Sequence, residues 1–212
     1  MRLKTAVLLG GAGLVGSRCL EALLVDPRYD RVVTVGRRPI GITHPKLVDR
    51  VVDFENIERF PDAFRGDEVF YCLGTTLRQA KSREAFRRVE FDYPKRIAEI
   101  AAGWGIKKWI MITSVGSSPR SPFFYLRVKG QCEREISAMP FQAIHIFRPS
   151  FLIGKRPRKR PLEEAVIPLA RALAPFLVGP LRNFRPTEGS DLAKRMVEAA
   201  QSDVAGVQIH HG

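Results

Sequence analysis

Short apolar runs rich in β-branched residues alternate along the chain with longer segments whose apolar positions recur at helical spacing. The helical segments include LVGSRCLEALLVD and SREAFRRVEFDYPKRIAEIAAGWG. Nearly continuous apolar strands separated by helices are typical of a parallel sheet that is covered on both faces. The runs that predict strands occupy residues 5–10, 31–36, 47–54, 67–74, 107–114 and 141–149.

This order of elements predicts an α/β fold, a doubly wound parallel sheet that is Rossmann-like and forms a single domain. The chain has 212 residues, of which 45% are hydrophobic, and it can therefore build one substantial core. After Pro149 the pattern loosens into a basic loop, a helix over about 161–174, a loop through Pro186 and a helix over about 190–201. We expect residues 155–212 to form a small C-terminal region on the substrate side of one domain that spans 1–212.

The first predicted strand leads directly into the glycine-rich turn GGAGLVG. Gly10, Gly13 and Gly16 suit a tight turn, the close approach of a phosphate to bare backbone, and close packing of the helix on the strand. A pyrophosphate would lie at the helix N-terminus, where free N–H groups favour negative charge. The turn therefore predicts dinucleotide binding, with a turn kept only for packing as the alternative.

The end of the second predicted strand carries GRRP. In dinucleotide-binding folds an acidic residue about 20 residues after the glycine turn bonds the ribose hydroxyls. Arg37 and Arg38 stand there instead, and two guanidinium groups can clamp a 2′-phosphate through paired N–H bonds. The expected cofactor is NADP(H) rather than NAD(H), unless the two arginines are ordinary loop charges.

The chain carries 35 Lys and Arg against 22 Asp and Glu, a net charge of +13. This excess favours anionic partners without choosing among a phosphorylated cofactor, an acidic substrate, RNA and an anionic membrane. The densest cluster is KRPRKR at 155–160, and no recognised nucleic-acid module surrounds it. We expect a small-molecule substrate, for which an anionic compound would suit the positive charge of the protein, and no nucleic-acid partner.

Nothing in the sequence predicts a membrane span, a disulfide framework or a metal site. The apolar stretch 161–179 is interrupted by charged residues. The three cysteines are far apart, and the N-terminal apolar run is shorter than that of a secretory signal, which together suggest a cytoplasmic protein. Among the histidines we expect His145 to be a core residue and His210 and His211 to be exposed.

The segment FFYLRVKGQCE places Tyr125 four residues before Lys129 in a predicted helix. Residues at this spacing are neighbours on one helix surface, so the ammonium can lie against the phenol. The spacing alone leaves two interpretations open, a catalytic pair and an ordinary helix face.

Several segments in order resemble the short-chain dehydrogenase/reductase superfamily, specifically its atypical branch typified by the Tat-interacting oxidoreductases. The resemblance covers nearly the whole chain up to the basic loop, and CLGTT and YLRVKG are its most specific segments. The full set is GGAGLVG, VGRRP, VVDFENIE, CLGTT, AFRRVEFDY, ITSVGS, YLRVKG and FRPS.

The resemblance implies a catalytic triad of Ser114, Tyr125 and Lys129. Tyr125 would exchange a proton with the substrate oxygen, Ser114 would hold that oxygen, and Lys129 would bind the nicotinamide ribose and favour the phenolate. The other implied cofactor-binding residues belong to the phosphate turn, to the adenine side, to the end of the fourth strand and to two Arg-Pro steps. They are Ala12, Leu14 and Val15; Asp53 and Phe54; Leu73, Gly74 and Thr75; Arg148 and Pro149; and Arg160. For the arginine of the second step, the alternative is an ordinary solvated charge on a loop.

One departure from the family pattern concerns the fourth helix. Many active members carry an asparagine there, and this sequence has Asp92 in its place. The sequence thus predicts an NADPH-dependent oxidoreductase that reduces a carbonyl-like group. Two alternatives remain open: a non-enzymatic NADPH-binding regulator, and a nucleotide-sugar epimerase or dehydratase, whose members usually have a larger C-terminal substrate domain.

Overall fold

The computed structural model describes residues 2–154 and 186–211 of the chain. The basic loop at 155–160, with Arg160, and the predicted helix over 161–174 lie outside the described residues. The predicted role of 155–212 as a substrate-side region therefore stays a prediction.

Seven parallel strands form the central sheet, in the order β3-β2-β1-β4-β5-β6-β9. The chain runs outward from β1 to β3, returns to the other side of β1 at β4, and then continues outward again. Such a reversal opens a crevice at the carboxyl ends of the central strands. The strands are β1 (Lys4–Leu9), β2 (Tyr29–Gly36), β3 (Leu47–Val51), β4 (Glu68–Tyr71), β5 (Lys108–Ile112), β6 (Ala143–Arg148) and, at the edge, β9 (Gly206–His211); β7 (Leu152–Ile153) and β8 (Thr187–Glu188) pair separately.

Helices cover both faces of the sheet because successive strand side chains point to opposite sides. Leu8 of β1 packs in the cluster beneath α1 and α6, whereas the adjacent Val7 packs in the cluster beneath α4 and α5. Each fully buried side chain of this size contributes about 1.5–3 kcal/mol. The helices are α1 (Leu14–Val25), α2 (Leu77–Ala80), α3 (Arg83–Arg87), α4 (Tyr93–Gly103), α5 (Phe124–Ser137) and α6 (Gly189–Ala199), with 3₁₀ turns at Phe54–Arg59 and Pro61–Phe64.

The long predicted helix after residue 82 is divided by a π-helical turn, Arg88–Asp92. Pro94 has no N–H to donate to the carbonyl of Glu90, so the regular α-helical pattern cannot continue through this point. Tyr93 instead donates its N–H to the carbonyl of Arg88, five residues earlier. Glu90 lies inside this turn and is only 6% exposed.

The doubly wound parallel sheet and its six predicted strands are confirmed. The edge strand β9 was not predicted, and it corrects the expectation for His210. That side chain is half-buried, with its Nε2 3.1 Å from Nδ1 of His145 and its ring stacked 4.3 Å from Phe147. His145 is buried and His211 exposed, as predicted.

Candidate functional site

The glycine-rich turn joins β1 to α1 and leaves the helix N-terminus without a side-chain cap among the described residues. Gly10 has φ +80°, and its carbonyl accepts from the N–H of Gly13 at 2.8 Å. A Cβ at Gly16 would lie 2.1 Å from that same carbonyl oxygen, so only glycine allows the helix to approach the turn this closely. Uncapped N–H groups at a helix N-terminus form a site for an anion.

A cleft of about 710 Å³ lies above this turn. Its walls come from the turn, the end of β2 with the following loop, and the end of β4. Of the residues predicted to bind the cofactor, those that line it are Gly10, Ala12, Gly13, Leu14, Arg37, Arg38, Leu73 and Gly74. Val15 and Gly16 are buried on α1 behind the turn.

The β2 end of the cleft is basic. Arg37 and Arg38 follow the strand directly, are exposed, and form no ion pair with another residue of the described ranges. Asp49 of β3 also lines the cleft and was not singled out from the sequence. Its two carboxylate oxygens accept from the hydroxyl of Thr34 at 2.7 Å and from the N–H of Ile40 at 2.8 Å. The Asp49 carboxylate is therefore engaged in holding the loop after β2.

Asp53 and Phe54, predicted on the adenine side, are not among the residues that line this cleft. The exposed Asp53 carboxylate caps the following 3₁₀ turn, accepting from Asn56 Nδ2 at 2.6 Å and from the Glu55 N–H at 3.0 Å. Phe54 is buried, with its ring 5.4 Å from that of Tyr93. Both residues thus have structural partners within the protein.

Tyr125 and Lys129 lie side by side on α5, as their spacing predicts. The ammonium nitrogen of Lys129 is 5.3 Å from the centre of the Tyr125 ring. Tyr125 is half-buried, and its ring lies 5.4 Å from that of Phe86. The geometry places the Lys129 ammonium against the Tyr125 ring, but this contact alone does not show that the pair is catalytic.

Lys129 is buried and forms an ion pair with Glu90, which the sequence did not suggest. Its Nζ lies 2.6 Å from Oε2 of Glu90, and Oε1 of the same carboxylate accepts from the N–H of Thr75 at 2.5 Å. Burial works against the ammonium, but the Glu90 carboxylate outweighs it and raises the pKa of Lys129. Thr75, predicted to contact the cofactor, therefore uses its N–H within this network.

The residue that faces Lys129 from the preceding helical segment is thus Glu90 and not Asp92. Asp92 has 42% of its side chain exposed and lies 3.9 Å from the Arg87 guanidinium. Glu90 lies at helical spacing from the buried Phe86 and Tyr93, whereas Asp92 lies on a different face of the segment.

Ser114 follows β5 in a loop that packs against α5. The N–H of Ser118 in this loop donates to the carbonyl of Leu126 at 3.2 Å, and Val115 donates to the carbonyl of Pro149 at 2.9 Å. The loop and the ends of β5 and β6 are therefore tied to the helix that carries Tyr125.

Arg148, predicted to lie near the nicotinamide, has its guanidinium bound to Glu133. Its Nε and Nη2 donate to the two carboxylate oxygens at 3.0 and 2.5 Å, and the Thr113 hydroxyl donates to the same carboxylate at 2.5 Å. The pair fixes the orientation of the guanidinium through two of its N–H donors, and a contact of the remaining donors with a cofactor stays a prediction.

We expect Gly130→Ala to destabilise the protein by at least about 1–3 kcal/mol, since overpacking against backbone cannot relax easily. The added Cβ would lie 2.2 Å from the backbone carbon of Ser118. Urea unfolding measures the effect. Gly103→Ala is the matched control, because its Cβ meets nothing within 4 Å and alanine favours the helix end where it lies. Equal stability of the two variants would mean that the Ser118 loop does not pack on α5 this closely.

The sheet, the glycine turn and the cleft together define a nucleotide-binding protein of Rossmann type. The family model described as "NAD dependent epimerase/dehydratase family" matches residues 6–129. The chain belongs to this family. It is 35% identical to protein HTATIP2 of Rattus norvegicus over 167 residues, which cover 77% of this chain and 69% of that protein. The predicted resemblance to the atypical short-chain dehydrogenases/reductases is confirmed.

Fungal relatives and solved structures complete the comparison. Protein FMP52-1, mitochondrial, of Scheffersomyces stipitis is 29% identical over 204 residues, covering 93% of this chain and 88% of that protein. The structure titled "MoeE5 in complex with UDP-glucuronic acid and NAD" has a TM-score of 0.75 at 20% identity and covers 97% of this chain and 75% of that one. At 20% identity this likeness shows the fold, and the description of the matched family supports a pyridine nucleotide as the class of cofactor without distinguishing NAD from NADP.

The expectation of a cytoplasmic location is wrong, because FMP52 relatives from several fungi are named mitochondrial proteins. The three cysteines are free, which does not identify a compartment. In residues 2–154 and 186–211, every helix is too short or too polar to cross a bilayer.

Proposed function

We propose that the chain is an NADPH-dependent oxidoreductase that reduces a carbonyl-like group on a small molecule. One observation carries the cofactor preference: Arg37 and Arg38 line the same cleft as the phosphate turn, while the Asp49 carboxylate beside them is engaged by Thr34 and Ile40. Exposed guanidinium groups at this place suit a 2′-phosphate, which binds through paired, charge-assisted hydrogen bonds.

The residues fit a dinucleotide along the whole cleft. The uncapped N-terminus of α1 would hold the pyrophosphate, and Leu73 and Gly74 would lie beside the dinucleotide. Lys129 would bind the nicotinamide ribose. Its partner Glu90 also accepts from the N–H of Thr75, next to Gly74 of the cleft, which ties the lysine to this part of the site.

When bound, NADPH supplies the hydride that goes to the carbonyl carbon. In this proposal the Tyr125 hydroxyl gives its proton to the carbonyl oxygen, and the Ser114 hydroxyl holds that oxygen. Negative charge develops on the phenol oxygen as the proton leaves, and a neighbouring cation stabilises that charge. The Lys129 ammonium, 5.3 Å from the ring, is that cation.

Arginines near Tyr125 support an anionic substrate. The guanidinium carbons of Arg83 and Arg127 lie 5.2 and 5.9 Å from the centre of the Phe124 ring, next to Tyr125 in sequence. Phe86 contacts both aromatic rings. A substrate that carries a carboxylate or phosphate would meet these cations on approach, consistent with the net charge of +13.

Two alternatives each have an observation in their favour. A regulator that binds NADPH without turnover is favoured by the tight pairing of Lys129 with Glu90. An epimerase or dehydratase acting on a nucleotide sugar is favoured by the family match and by the UDP-glucuronic acid in the MoeE5 structure.

Incubation of the protein with NADPH and a panel of aldehydes and ketones, some with an acidic group, separates these functions. We expect continuous loss of NADPH absorbance with at least one acidic carbonyl compound. Saturable NADPH binding without turnover on any compound would favour the regulator. Interconversion of a UDP-sugar with bound cofactor and no net NADPH loss would favour the epimerase.

A further inference from the structure

Helix α5 carries a row of three functional groups on its inner side. Tyr125, Lys129 and Glu133 are spaced four residues apart, so they follow one another along one helix surface. Each of the two charged members meets an opposite charge from another element, Glu90 for Lys129 and Arg148 for Glu133. The proposed reaction uses Tyr125 and Lys129 and gives no role to Glu90.

Glu90 connects three parts of the site. One carboxylate oxygen bonds Lys129 on α5, and the other accepts from the N–H of Thr75, in the segment that follows β4. A Cβ added at Gly74, which lines the cofactor cleft, would lie 3.4 Å from Oε1 of the same carboxylate. The Lys129 and Glu90 side chains are 6% and 5% exposed, so little solvent separates the charges.

We propose that Glu90 is a positioning residue that keeps Lys129 in its ammonium form and fixes it between Tyr125 and the Gly74–Thr75 edge of the cofactor cleft. The inference rests on the proposed binding of NADPH by Lys129. A buried lysine without a partner tends to lose its proton, because burial disfavours the charged form. Glu90 offsets that tendency where the ammonium has to serve both the ribose and the phenol.

The proposal has a pH dependence that follows from the groups around Lys129. Glu90 faces it from the π-helical turn, Tyr125 and Cys132 from its own helix, and Tyr71 of β4 faces Glu90. With Glu90 charged, the pKa of Lys129 is raised and the ammonium persists above the ordinary lysine range. Without that charge the effect of burial loses its main counterweight, so the pKa of Lys129 falls and the ammonium is lost at a lower pH than in the wild type.

Glu90→Gln tests this by calorimetric titration of NADPH at several pH values. We expect the affinity of the wild type to stay constant from about pH 7 to about pH 9, and that of the variant to fall about tenfold over the same range, the scale of one hydrogen bond to a charged group. Glu90→Asp keeps a carboxylate and should remain nearly independent of pH. If Glu90→Gln does not fold, Glu90→Asp and Glu90→Asn provide the same comparison. Their side chains have the same shape, and only the aspartate carries a charge.

Glu68→Gln is the matched control, since Glu68 is also buried and pairs with a lysine, Lys4 at 2.7 Å, at the amino end of the sheet. Glu68→Gln should leave NADPH affinity independent of pH, even if it lowers the stability of the folded protein. Parallel pH profiles for wild type and Glu90→Gln would overturn the role of Glu90 while leaving NADPH binding intact. A wild type that does not bind NADPH at any pH would instead contradict the proposed function.

Discussion

Tyr125→Phe is expected to lower turnover by about 10²- to 10⁴-fold, the usual contribution of a general acid, while NADPH affinity changes little. The substitution removes only the hydroxyl, so no proton can pass from this side chain to the substrate oxygen. The ring remains to pack 5.4 Å from Phe86, and Lys129 keeps its ion pair with Glu90. Steady-state rates of NADPH oxidation with an active carbonyl compound measure the effect, and calorimetry measures cofactor affinity.

Tyr93→Phe is the control for this experiment. Tyr93 also loses a hydroxyl, which donates to Glu55 at 2.6 Å, away from α5. Burial and the Glu55 carboxylate raise the pKa of Tyr93 to about 12, so its phenol stays protonated during the assay. The control should keep its turnover. Full activity in Tyr125→Phe would exclude Tyr125 as the acid and leave the regulator as the better explanation of cofactor binding.

The sheet and the phosphate turn could be predicted because their signals are local. β1 presents Val7 and Leu9 to one core and Ala6 and Leu8 to the other. Because the strand is buried on both faces, its apolar residues occupy consecutive positions, and this run is visible in the sequence. The edge strand β9 lacks this signal. Val207 and Ile209 are 41% and 46% exposed. Its position depends on pairing with β6, which no local pattern encodes.

The partners of the candidate site were harder to predict, because they come from distant parts of the chain. The acid that meets Lys129 is 39 residues away, and it lies buried inside the π-helical turn, whereas Asp92 is exposed. The position of Arg148 at the end of β6 predicts that it lies near the cofactor, but a strand end does not determine which acid lies opposite the guanidinium. Glu133 takes the Arg148 guanidinium in the structure. Sequence spacing places residues on a surface and leaves their long-range pairing open.

Replacing both Arg37 and Arg38 with alanine is expected to weaken NADPH binding by about one to three orders of magnitude and to leave NADH binding almost unchanged. A hydrogen bond to a charged group contributes about 1.5–3 kcal/mol, and each 1.4 kcal/mol is about tenfold in affinity, so the range runs from one weak bond to two bonds of middle strength. The two side chains line the cleft and have no ion-pair partner within 2–154 and 186–211, so their removal breaks no salt bridge there. Calorimetric titration of both cofactors into wild type and double variant measures the change.

The control must separate a specific contact from the general attraction of a basic protein for a more highly charged cofactor. Arg31→Ala with Arg65→Ala removes two exposed positive charges that do not line the cleft. Long-range attraction alone would give the same small, salt-dependent loss in both double variants. A 2′-phosphate site at the end of β2 instead predicts a large loss for Arg37 and Arg38, confined to NADPH. Equal wild-type affinities for NADPH and NADH, or equal losses for both, would mean that these arginines do not recognise the 2′-phosphate, and the preference for NADPH would have no physical basis.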